Sequence, residues 1–210
     1  TAITAWELLF DRLQVPRDGG EGQVLLVTGG AGGVGSVLIQ LARTLTRLTV
    51  VATASREETR RWCLELGAHA VIDHSRPLVQ QLQAAGFPAV DLVASLTQTD
   101  QHLTALVDAL RPQGKLALID DPKALDATLL KRKSLSLHWE LMFTRPLFTT
   151  PDIGRQGELL AEVARLVDAG RLRTTVNADY GPITAANLRR AHAFIESGRS
   201  QGKVVLSGFA

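Results

Sequence analysis

A cluster of glycines early in the chain has the spacing of a phosphate-binding turn. Read as G-x-G-x-x-G, its glycines are Gly30, Gly32 and Gly35. In that pattern the first glycine forms a tight turn, the second lets the backbone approach a pyrophosphate, and the third allows close helix packing. The chemistry that the cluster predicts is the binding of a dinucleotide at the N-terminus of a helix.

The segments on either side of the glycines are those that such a turn requires. Residues 24–28 form a β-branched and leucine run, which is typical of a strand buried on both faces. Behind the turn, apolar residues recur at helical spacing, at Val34, Leu38, Leu41 and Leu45. The pattern thus lies between a predicted strand and a helix beginning near Gly33, which is the context that a dinucleotide site needs.

The end of the second predicted strand, residues 48–53, indicates which dinucleotide binds. In NAD-binding chains an acidic residue about 20 residues after the glycines holds the ribose hydroxyls. Ser55 and Arg56 follow the strand here, and no carboxylate occurs before Glu57. A hydroxyl beside a guanidinium can bind the 2′-phosphate of NADP through charge-assisted hydrogen bonds. We therefore predict that NADP(H) binds in preference to NAD(H).

The same residues allow a purely structural interpretation. Ser55 could cap a helix beginning at Arg56, with Glu58 completing a capping box. The Ser55 hydroxyl cannot fully bind the 2′-phosphate and cap the helix at the same time. Arg56 would remain free to bind a phosphate in either case.

Strand and helix patterns alternate along most of the chain, which predicts an α/β fold. Five strands are expected at residues 24–28, 48–53, 71–72, 89–94 and 115–119, and a sixth at 134–139. Helices are expected at residues 4–13 with Thr4 as N-cap, from Gly33 to Leu45, and at 57–66, 77–85 and 99–110, with a turn at Pro112 and Gly114. Short connections favour a doubly wound, six-stranded parallel sheet of the Rossmann type.

After the sixth strand the pattern changes to a C-terminal helical and strand extension. Residues 143–148 are predicted to be an irregular aromatic loop, in which Phe143 and Phe148 either join a core or wall a pocket for a flat apolar substrate. Helices are expected at 158–169 and 185–196, and a strand at 203–206. These elements would need a further partner to cover their apolar faces.

The composition excludes several classes of function. Of the 210 residues, 45% are hydrophobic and 21% are charged, as in ordinary globular proteins. The net charge is only +2, so no nucleic-acid partner is expected. The single cysteine, Cys63, excludes an internal disulfide and a cysteine-based zinc site. No apolar run reaches the ~20 residues of a membrane span and no signal peptide is visible, so we expect no membrane partner and a cytoplasmic location.

Other side chains that could do chemistry favour structural roles. His69, His102 and His192 have no metal-ligand spacing with a cysteine or carboxylate, so no metal site is predicted. Asp120 and Asp121 are adjacent, and adjacent residues on an extended strand point in opposite directions. We therefore assign no catalytic residue in this chain.

Longer phrases of the sequence resemble a known family. AGGVGSVLIQLAR, LGAHAVIDH and LRPQGKLALID resemble the medium-chain dehydrogenase/reductase superfamily. The tail, HWELMFTRPLFTTPDIGRQGELLAEVARLVDAGRLRTT with AANLRRAHAFIESGRSQGKVVL, resembles its quinone oxidoreductase-like, zinc-type alcohol dehydrogenase-like branch. The similarity covers essentially the whole chain, and the tail is more specific than the glycine motif.

The resemblance implies a division of the chain. Residues 1–17 would be a linker helix from a catalytic domain, 18–144 the NADP-binding Rossmann domain, and 145–210 the C-terminal segment of the catalytic domain. The chain starts at Thr1 without a methionine, and the GroES-like N-terminal domain of the family is expected to be missing. The resemblance also implies a homodimer formed through the edge of the sixth strand. Quinone oxidoreductase-like members typically work without zinc, so zinc is not expected in this chain.

The family's contacts with the phosphates can be carried over to individual residues. Gly32, Gly33 and Val34 would lie under the pyrophosphate. Ser55 and Arg56 would bind the 2′-phosphate. All of them fall beyond the carboxyl ends of predicted strands, where ligands bind in open α/β sheets.

The resemblance also implies contacts with the rest of the cofactor. His74 would lie near the adenosine end. The nicotinamide and its ribose would be flanked by Thr97, Thr99, Ile119, Asp120, Leu141, Met142 and Phe143. Lys203, in the GKVVL phrase, would lie at the cofactor edge.

The function that the resemblance and the motif together predict is reduction of a small molecule. The substrate would be a quinone, an enone or a related carbonyl compound, with NADPH as hydride donor. As a fragment, the chain is expected to bind cofactor with little or no turnover. The alternative is a non-catalytic NADP(H)-binding sensor or structural Rossmann module. A methyltransferase is disfavoured, because it usually needs an acidic residue at the end of the second strand.

Overall fold

The computed structural model describes residues 1–209 and contains a six-stranded parallel sheet. Its strands are β1 (Val24–Val27), β2 (Thr49–Thr53), β3 (Ala70–Ile72), β4 (Val90–Ser95), β5 (Leu110–Leu118) and β6 (Ser136–Trp139). They lie in the order β3-β2-β1-β4-β5-β6. The predicted doubly wound Rossmann sheet is confirmed. Every residue of β1 and β4 is buried, which explains the continuous apolar sequence of β1.

Helices cover both faces of the sheet and create two cores. They are α1 (Ala2–Trp6), α2 (Gly33–Leu45), α3 (Glu57–Glu65), α4 (Leu78–Ala84), α5 (Thr99–Ala109) and α6 (Thr128–Lys131). One core includes Leu8 and Leu41 from the first helix and α2. The other includes Leu82 and Leu106 from α4 and α5. Each core buries the apolar stripe of amphipathic helices against the sheet.

The strand register aligns the carboxyl ends of the central strands. Val27, the last residue of β1, pairs with Ala52 of β2 on one side and Ala94 of β4 on the other. The chain turns to opposite sides of β1 on its way to β2 and β4. Open α/β sheets have a crevice for ligands at this switch point.

The first helix begins earlier than the sequence indicates. α1 starts at Ala2 and continues as a π-helix over Glu7–Arg12. Thr4 is buried within α1, so the prediction that it caps the helix is wrong. Its neighbours show why: Ala5 N–H already donates to the Thr1 carbonyl at 3.0 Å, so the first turn precedes Thr4.

The fifth strand is longer than predicted. Residues 110–115 of β5 face only residues 90–92 of β4, so the additional residues form a bulge. Pro112 and Gly114 lie in this bulge rather than in a turn before the strand, which corrects the prediction. Proline is tolerated there because a bulge leaves positions without a ladder hydrogen bond.

The aromatic segment after β6 is also more regular than predicted. It contains a short helix, α7 (Thr144–Phe148). The Arg145 side chain is largely buried and pairs with Asp11 at 2.8 Å, Asp152 at 2.9 Å and the Glu7 carboxylate. These charge-assisted contacts fix the position of residues 144–148, whose sequence lacks the apolar spacing of a helix.

The C-terminal extension contains two helices and a small parallel sheet. Its elements are α8 (Arg155–Asp168), β7 (Val176–Asp179), α9 (Ala185–Glu196) and β8 (Lys203–Val205), with β7 paired to β8. The predicted bounds of α9 are confirmed, whereas α8 begins three residues earlier than the predicted start at residue 158. β7 was not predicted, because its VNAD sequence is largely exposed and lacks an apolar run.

Several apolar side chains of the extension face solvent, among them Ile195 and Phe209, which are 52% and 85% exposed. Within residues 1–209, no helix is long and apolar enough to cross a bilayer.

Candidate cofactor site

The glycine turn joins β1 to α2 at the carboxyl edge of the sheet. Gly29 has a left-handed φ of 62°, and its N–H donates to Thr53 Oγ1 at 3.1 Å. Gly30 N–H donates to the Thr53 carbonyl at 3.2 Å. These bonds hold the turn against the end of β2. The left-handed residue is Gly29, one position before the first glycine of the predicted pattern.

Two glycines of the pattern are required by close packing. A Cβ on Gly30 would lie 2.8 Å from the Cβ of Ala52 and 3.1 Å from the Sγ of Cys63. A Cβ on Gly35 would lie 2.6 Å from the carbonyl oxygen of Gly29. A side chain at either position would push the turn away from the sheet or from α2. Gly35 therefore allows the close helix packing predicted for the third glycine, whereas Gly30 is required by its contacts with β2 and α3.

The N-terminus of α2 offers unpaired donors to the cleft in front of it. Ser36 N–H donates to the Gly32 carbonyl at 2.9 Å. Within residues 1–209, the N–H groups of Gly33, Val34 and Gly35 have no backbone acceptor, and all three residues line the cleft. Unpaired N–H groups and the positive end of the helix dipole suit an anion such as a pyrophosphate.

A cleft of about 580 Å³ opens over the switch point. It brings together nine of the residues predicted to contact the cofactor: Gly32, Gly33, Val34, Gly35, Ser55, Arg56, His74, Thr97 and Ile119. The remaining predicted residues lie outside its lining: Gly30, Thr99, Asp120, Leu141, Met142, Phe143 and Lys203. The residues that line the cleft come from the glycine turn and from the chain at or just beyond the ends of β2, β3, β4 and β5.

The helix after β2 is capped by Arg56 and Thr59. Arg56 is the N-cap of α3, and Thr59 Oγ1 accepts a hydrogen bond from its N–H at 3.3 Å. The interpretation that Ser55 caps this helix with Glu58 is therefore wrong. The cap lies one residue later, because α3 begins at Glu57. In the described part of the chain the Ser55 hydroxyl has no hydrogen-bond partner, so it is available to a ligand.

The charge of the cleft is positive at its β2 end. Arg56 and Arg199 line it, and none of its described lining residues is Asp or Glu. One Arg56 nitrogen, Nη2, donates to the Arg199 carbonyl at 2.9 Å. Its Nε lies 3.6 Å from the exposed carboxylate of Glu58. The Arg56 guanidinium is thus held by one hydrogen bond and one long ion pair. No acidic residue is among the described residues that line the cleft.

Two predicted nicotinamide-side residues lie behind the cleft wall. Thr99 is fully buried, and its N–H donates to Asp120 Oδ2 at 2.8 Å. Its hydroxyl bonds the same carboxylate and lies 2.7 Å from Ser95 Oγ. This network ties the end of β5 to the start of α5 and positions Thr97 and Gln98, which do line the cleft.

The predicted residues after β6 lie outside the cleft. Leu141 and Phe143 are 54% and 55% exposed, beside the exposed Trp139. The Met142 carbonyl instead accepts a hydrogen bond from Gln156 at 2.6 Å. Lys203 is adjacent to the start of α2, where a Cβ on Gly33 would lie 2.8 Å from its Cδ.

A buried carboxyl pair that the sequence did not reveal lies beyond the end of β6. The Glu7 and Glu140 residues are 1% and 4% exposed. Glu140 Oε2 accepts a hydrogen bond from Arg12 Nε at 2.9 Å. Burial, and then the neighbouring Glu7 carboxyl, raise the pKa of Glu140 to about 7. The pair links the first helix to the segment leading into α7.

Residues 197–200, the α9 turn, also line the cleft and were not predicted. Their sequence, SGRS, has the composition of an ordinary exposed turn after a helix, with Gly198 in the left-handed region at φ 68°. No local signal indicates that this turn meets the glycine turn. The tertiary structure brings them together through a hydrogen bond of 2.8 Å from Gly202 N–H to the Ala31 carbonyl.

Comparison with known proteins identifies the family. The family model described as zinc-binding dehydrogenase matches residues 66–206. The zinc-type alcohol dehydrogenase-like protein SAS2087 of Staphylococcus aureus MSSA476 is 33% identical over 210 residues, which cover 99% of this chain and 62% of the relative. The chain belongs to the zinc-binding dehydrogenases of the medium-chain dehydrogenase/reductase superfamily.

Solved structures of this superfamily share the fold. A Rhizobium etli CFN 42 protein assigned as a zinc-dependent alcohol dehydrogenase has a TM-score of 0.92 and 56% identity, over 99% of this chain and 61% of that one. Mycobacterial Rv1454c, solved with NADPH, has a TM-score of 0.78 and 26% identity, over 98% and 61%. Escherichia coli quinone oxidoreductase with NADPH, at 22% identity and TM-score 0.80, supports the fold alone. This zinc-binding dehydrogenase chain thus spans less than two thirds of each relative.

The zinc of the family name has no ligand set in the described part of this dehydrogenase chain. Residues 1–209 contain no group of three or more His, Cys, Asp or Glu side chains that could hold a metal ion. Cys63 is buried against Gly30, and burial raises the pKa of its thiol to about 12. It is therefore a packing residue of the glycine turn.

Proposed function

We propose that this chain is the cofactor-binding portion of an NADPH-dependent oxidoreductase. The observation that carries the proposal is the composition of the cleft. Its glycine turn presents N–H groups without backbone acceptors, and the end of β2 contributes Ser55 and Arg56 to a cleft that has no carboxylate among its described lining residues. A carboxylate there would repel a 2′-phosphate, whereas Ser55 and Arg56 can donate to it.

The relatives include proteins associated with each of the two cofactors. Rv1454c, at 26% identity, was solved with NADPH. The protein named "NAD-dependent alcohol dehydrogenase" of Saccharolobus solfataricus is also related, at 28% identity over 156 residues. Both cofactors therefore occur among similar chains, so the choice for this chain depends on its own residues at the end of β2.

The work of this chain in the proposed reaction is to bind and orient the dinucleotide. When bound, NADPH supplies a hydride from its nicotinamide ring. The N-terminus of α2 would hold the pyrophosphate, Thr97 and Ile119 would border the nicotinamide half, and His74 the adenosine half. The substrate would be a small quinone, enone or carbonyl compound held against a further domain. Residues 1–17 would lead from that domain, 18–144 bind cofactor, and 145–210 pack back against it.

The cofactor preference can be tested by replacing the guanidinium at the end of β2. We expect Arg56→Ala to weaken NADPH binding about tenfold or more, since a charge-assisted hydrogen bond is lost. NADH, which lacks the 2′-phosphate, should be affected less than about twofold. The measurement is a fluorescence titration of each reduced cofactor. Arg61→Ala, an exposed arginine of the same helix, is the control and should change neither affinity.

Two results would contradict the proposal. Equal losses of affinity for NADPH and NADH would show that Arg56 does not bind the 2′-phosphate. An unaltered chain that binds neither cofactor would remove the oxidoreductase assignment of this cleft. If the complete protein binds NADPH but reduces no quinone, enone or carbonyl compound, the non-catalytic sensor becomes the better explanation.

A further inference from the structure

The α9 turn forms one wall of the cofactor cleft. All four of its residues, 197–200, border the cleft, as do the glycine turn and residues 53–56 at the end of β2. The turn follows a helix of the C-terminal extension, far along the sequence from the Rossmann strands. The cleft therefore draws its lining from two separate parts of the chain.

Backbone contacts hold the turn in this place. Its Arg199 carbonyl accepts the 2.9 Å hydrogen bond from Arg56 Nη2. Its Arg199 N–H donates to Ser197 Oγ at 3.3 Å. The following Gly202 N–H donates to Ala31 within the glycine turn at 2.8 Å. The turn is thus fastened to both the guanidinium and the phosphate-binding backbone, while none of these bonds uses the side chain of Arg199.

The chemistry of this wall matches a phosphate. Arg56 and Arg199, which carry guanidinium groups, line the same cleft as Ser55 and Ser200, which carry hydroxyls. Guanidinium groups that share a cleft repel each other, and an anion bound between them relieves that repulsion. Their planar donor forks suit the oxygens of a phosphate, which can accept several charge-assisted hydrogen bonds at once.

We propose that Arg199 is a second specificity-determining residue for the 2′-phosphate of NADP(H), with Ser200 as an additional donor. The inference rests on the proposed function and deepens it. It means that the C-terminal extension takes part in choosing the cofactor. The 2′-phosphate would then bridge the end of β2 and the α9 turn, so that NADP(H) fastens the extension to the Rossmann sheet more firmly than NAD(H) does.

The experiment uses two nucleotides that differ only in the 2′-phosphate, adenosine 2′,5′-bisphosphate and 5′-AMP. Their affinities are measured by calorimetry for the 210-residue chain and for Arg199→Ala. We expect the substitution to weaken binding of the bisphosphate by about tenfold and binding of 5′-AMP by less than about twofold. Because the Arg56 bond is to the backbone carbonyl of residue 199, alanine preserves it. Arg189→Ala, an exposed arginine on α9 itself, is the control and should change neither affinity.

The outcomes separate this inference from the proposed function. If the unaltered chain prefers the bisphosphate and Arg199→Ala keeps that preference, the inference is wrong while the NADP(H) assignment stands. If the substitution weakens both nucleotides equally, the turn has only a structural role and the inference is again wrong. If the unaltered chain does not prefer the bisphosphate, both are overturned. In the Arg56→Ala, Arg199→Ala double variant, a loss smaller than the product of the single losses is expected for two residues on one phosphate.

Discussion

At the scale of single residues, the buried carboxyl pair gives the molecule a pH dependence of its own. Glu140 contacts Glu7 and Arg12 in a setting with almost no solvent. Removal from water and a second carboxyl both disfavour its ionised form, which outweighs the attraction of the Arg12 guanidinium. The folded state therefore holds a proton on Glu140 at pH values where the unfolded chain has released it.

The raised pKa of Glu140 determines whether the free energy of unfolding rises or falls with pH. The pKa of Glu140 is about 7 in the folded chain, above its ordinary value of 4.5. As pH rises from 4.5 to about 7, the folded state binds more protons than the unfolded state, so this group's contribution to stability falls. Glu140→Gln removes the titration and keeps an acceptor for Arg12 and a donor for Glu7. We expect the variant to gain stability relative to the unaltered chain over this interval, by at most ~1.4 kcal/mol per pH unit.

Urea unfolding at a series of pH values measures the difference. Glu196→Gln, an exposed glutamate on α9, serves as the control and should show a difference that does not vary with pH. A constant difference for Glu140→Gln as well would mean that Glu140 titrates in the ordinary range.

At the scale of elements, the contact between the end of β5 and the start of α5 lies behind the part of the cleft that Thr97, Gln98 and Ile119 line. The residue before α5 is Gln98, which has a left-handed φ of 54° and no side-chain capping bond. Asp120, from the end of β5, supplies the missing acceptor to the Thr99 N–H and hydroxyl. Asp120, which was expected to contact the cofactor, thus caps α5 from its position after β5 in this structure.

Asp120→Ala should remove this cap. We expect a loss of about 1–2 kcal/mol in the free energy of unfolding, as for other helix caps, together with weaker NADPH binding as Thr97 and Gln98 shift. Asp120→Asn retains an acceptor for the N–H and should lose less of both. Denaturant unfolding and cofactor titration of the two variants test this. Weaker NADPH binding with unchanged stability would indicate instead that Asp120 contacts the cofactor directly.

At the scale of the whole molecule, the edge of the sheet beyond β6 suits a second copy of the chain. β6 is paired on one side only, to β5. Trp139 on β6 is 51% exposed, and Leu147 and Phe148 on the following helix, α7, are 68% and 76% exposed. An open strand edge bordered by apolar surface is a site for pairing between chains. We propose that two copies meet there as a homodimer.

Light scattering coupled to size exclusion tests this assembly. We expect the unaltered chain to have the mass of a dimer, and Trp139→Glu to have the mass of a monomer because it would place a charge in the proposed interface. Phe209→Glu changes an exposed aromatic residue in the extension and should leave the dimer intact. A monomeric unaltered chain, or a dimer that survives Trp139→Glu and dissociates with Phe209→Glu, would contradict this choice of surface.

Much of the sheet could be predicted from local patterns. Apolar runs identified the strands buried on both faces, and β1 differs from its prediction only at Thr28. Helical periodicity identified α9 at both ends. Where the bonding partner lies far along the chain, local patterns failed. The bulge of β5, the helix at residues 144–148 held by Arg145, and the strand at residues 176–179 all depend on such distant partners.

Local sequence was enough to identify the glycine turn and the residues after β2, because a turn, a helix start and a strand end depend on neighbours within a few residues. It therefore revealed Gly32, Gly35, Ser55 and Arg56, four residues that the cleft brings together. Three features became visible only in the folded chain: the α9 turn borders this cleft, Glu140 contacts Glu7, and Asp120 caps α5. Contacts between distant segments arise from the packing of whole elements, and no spacing within the sequence records them.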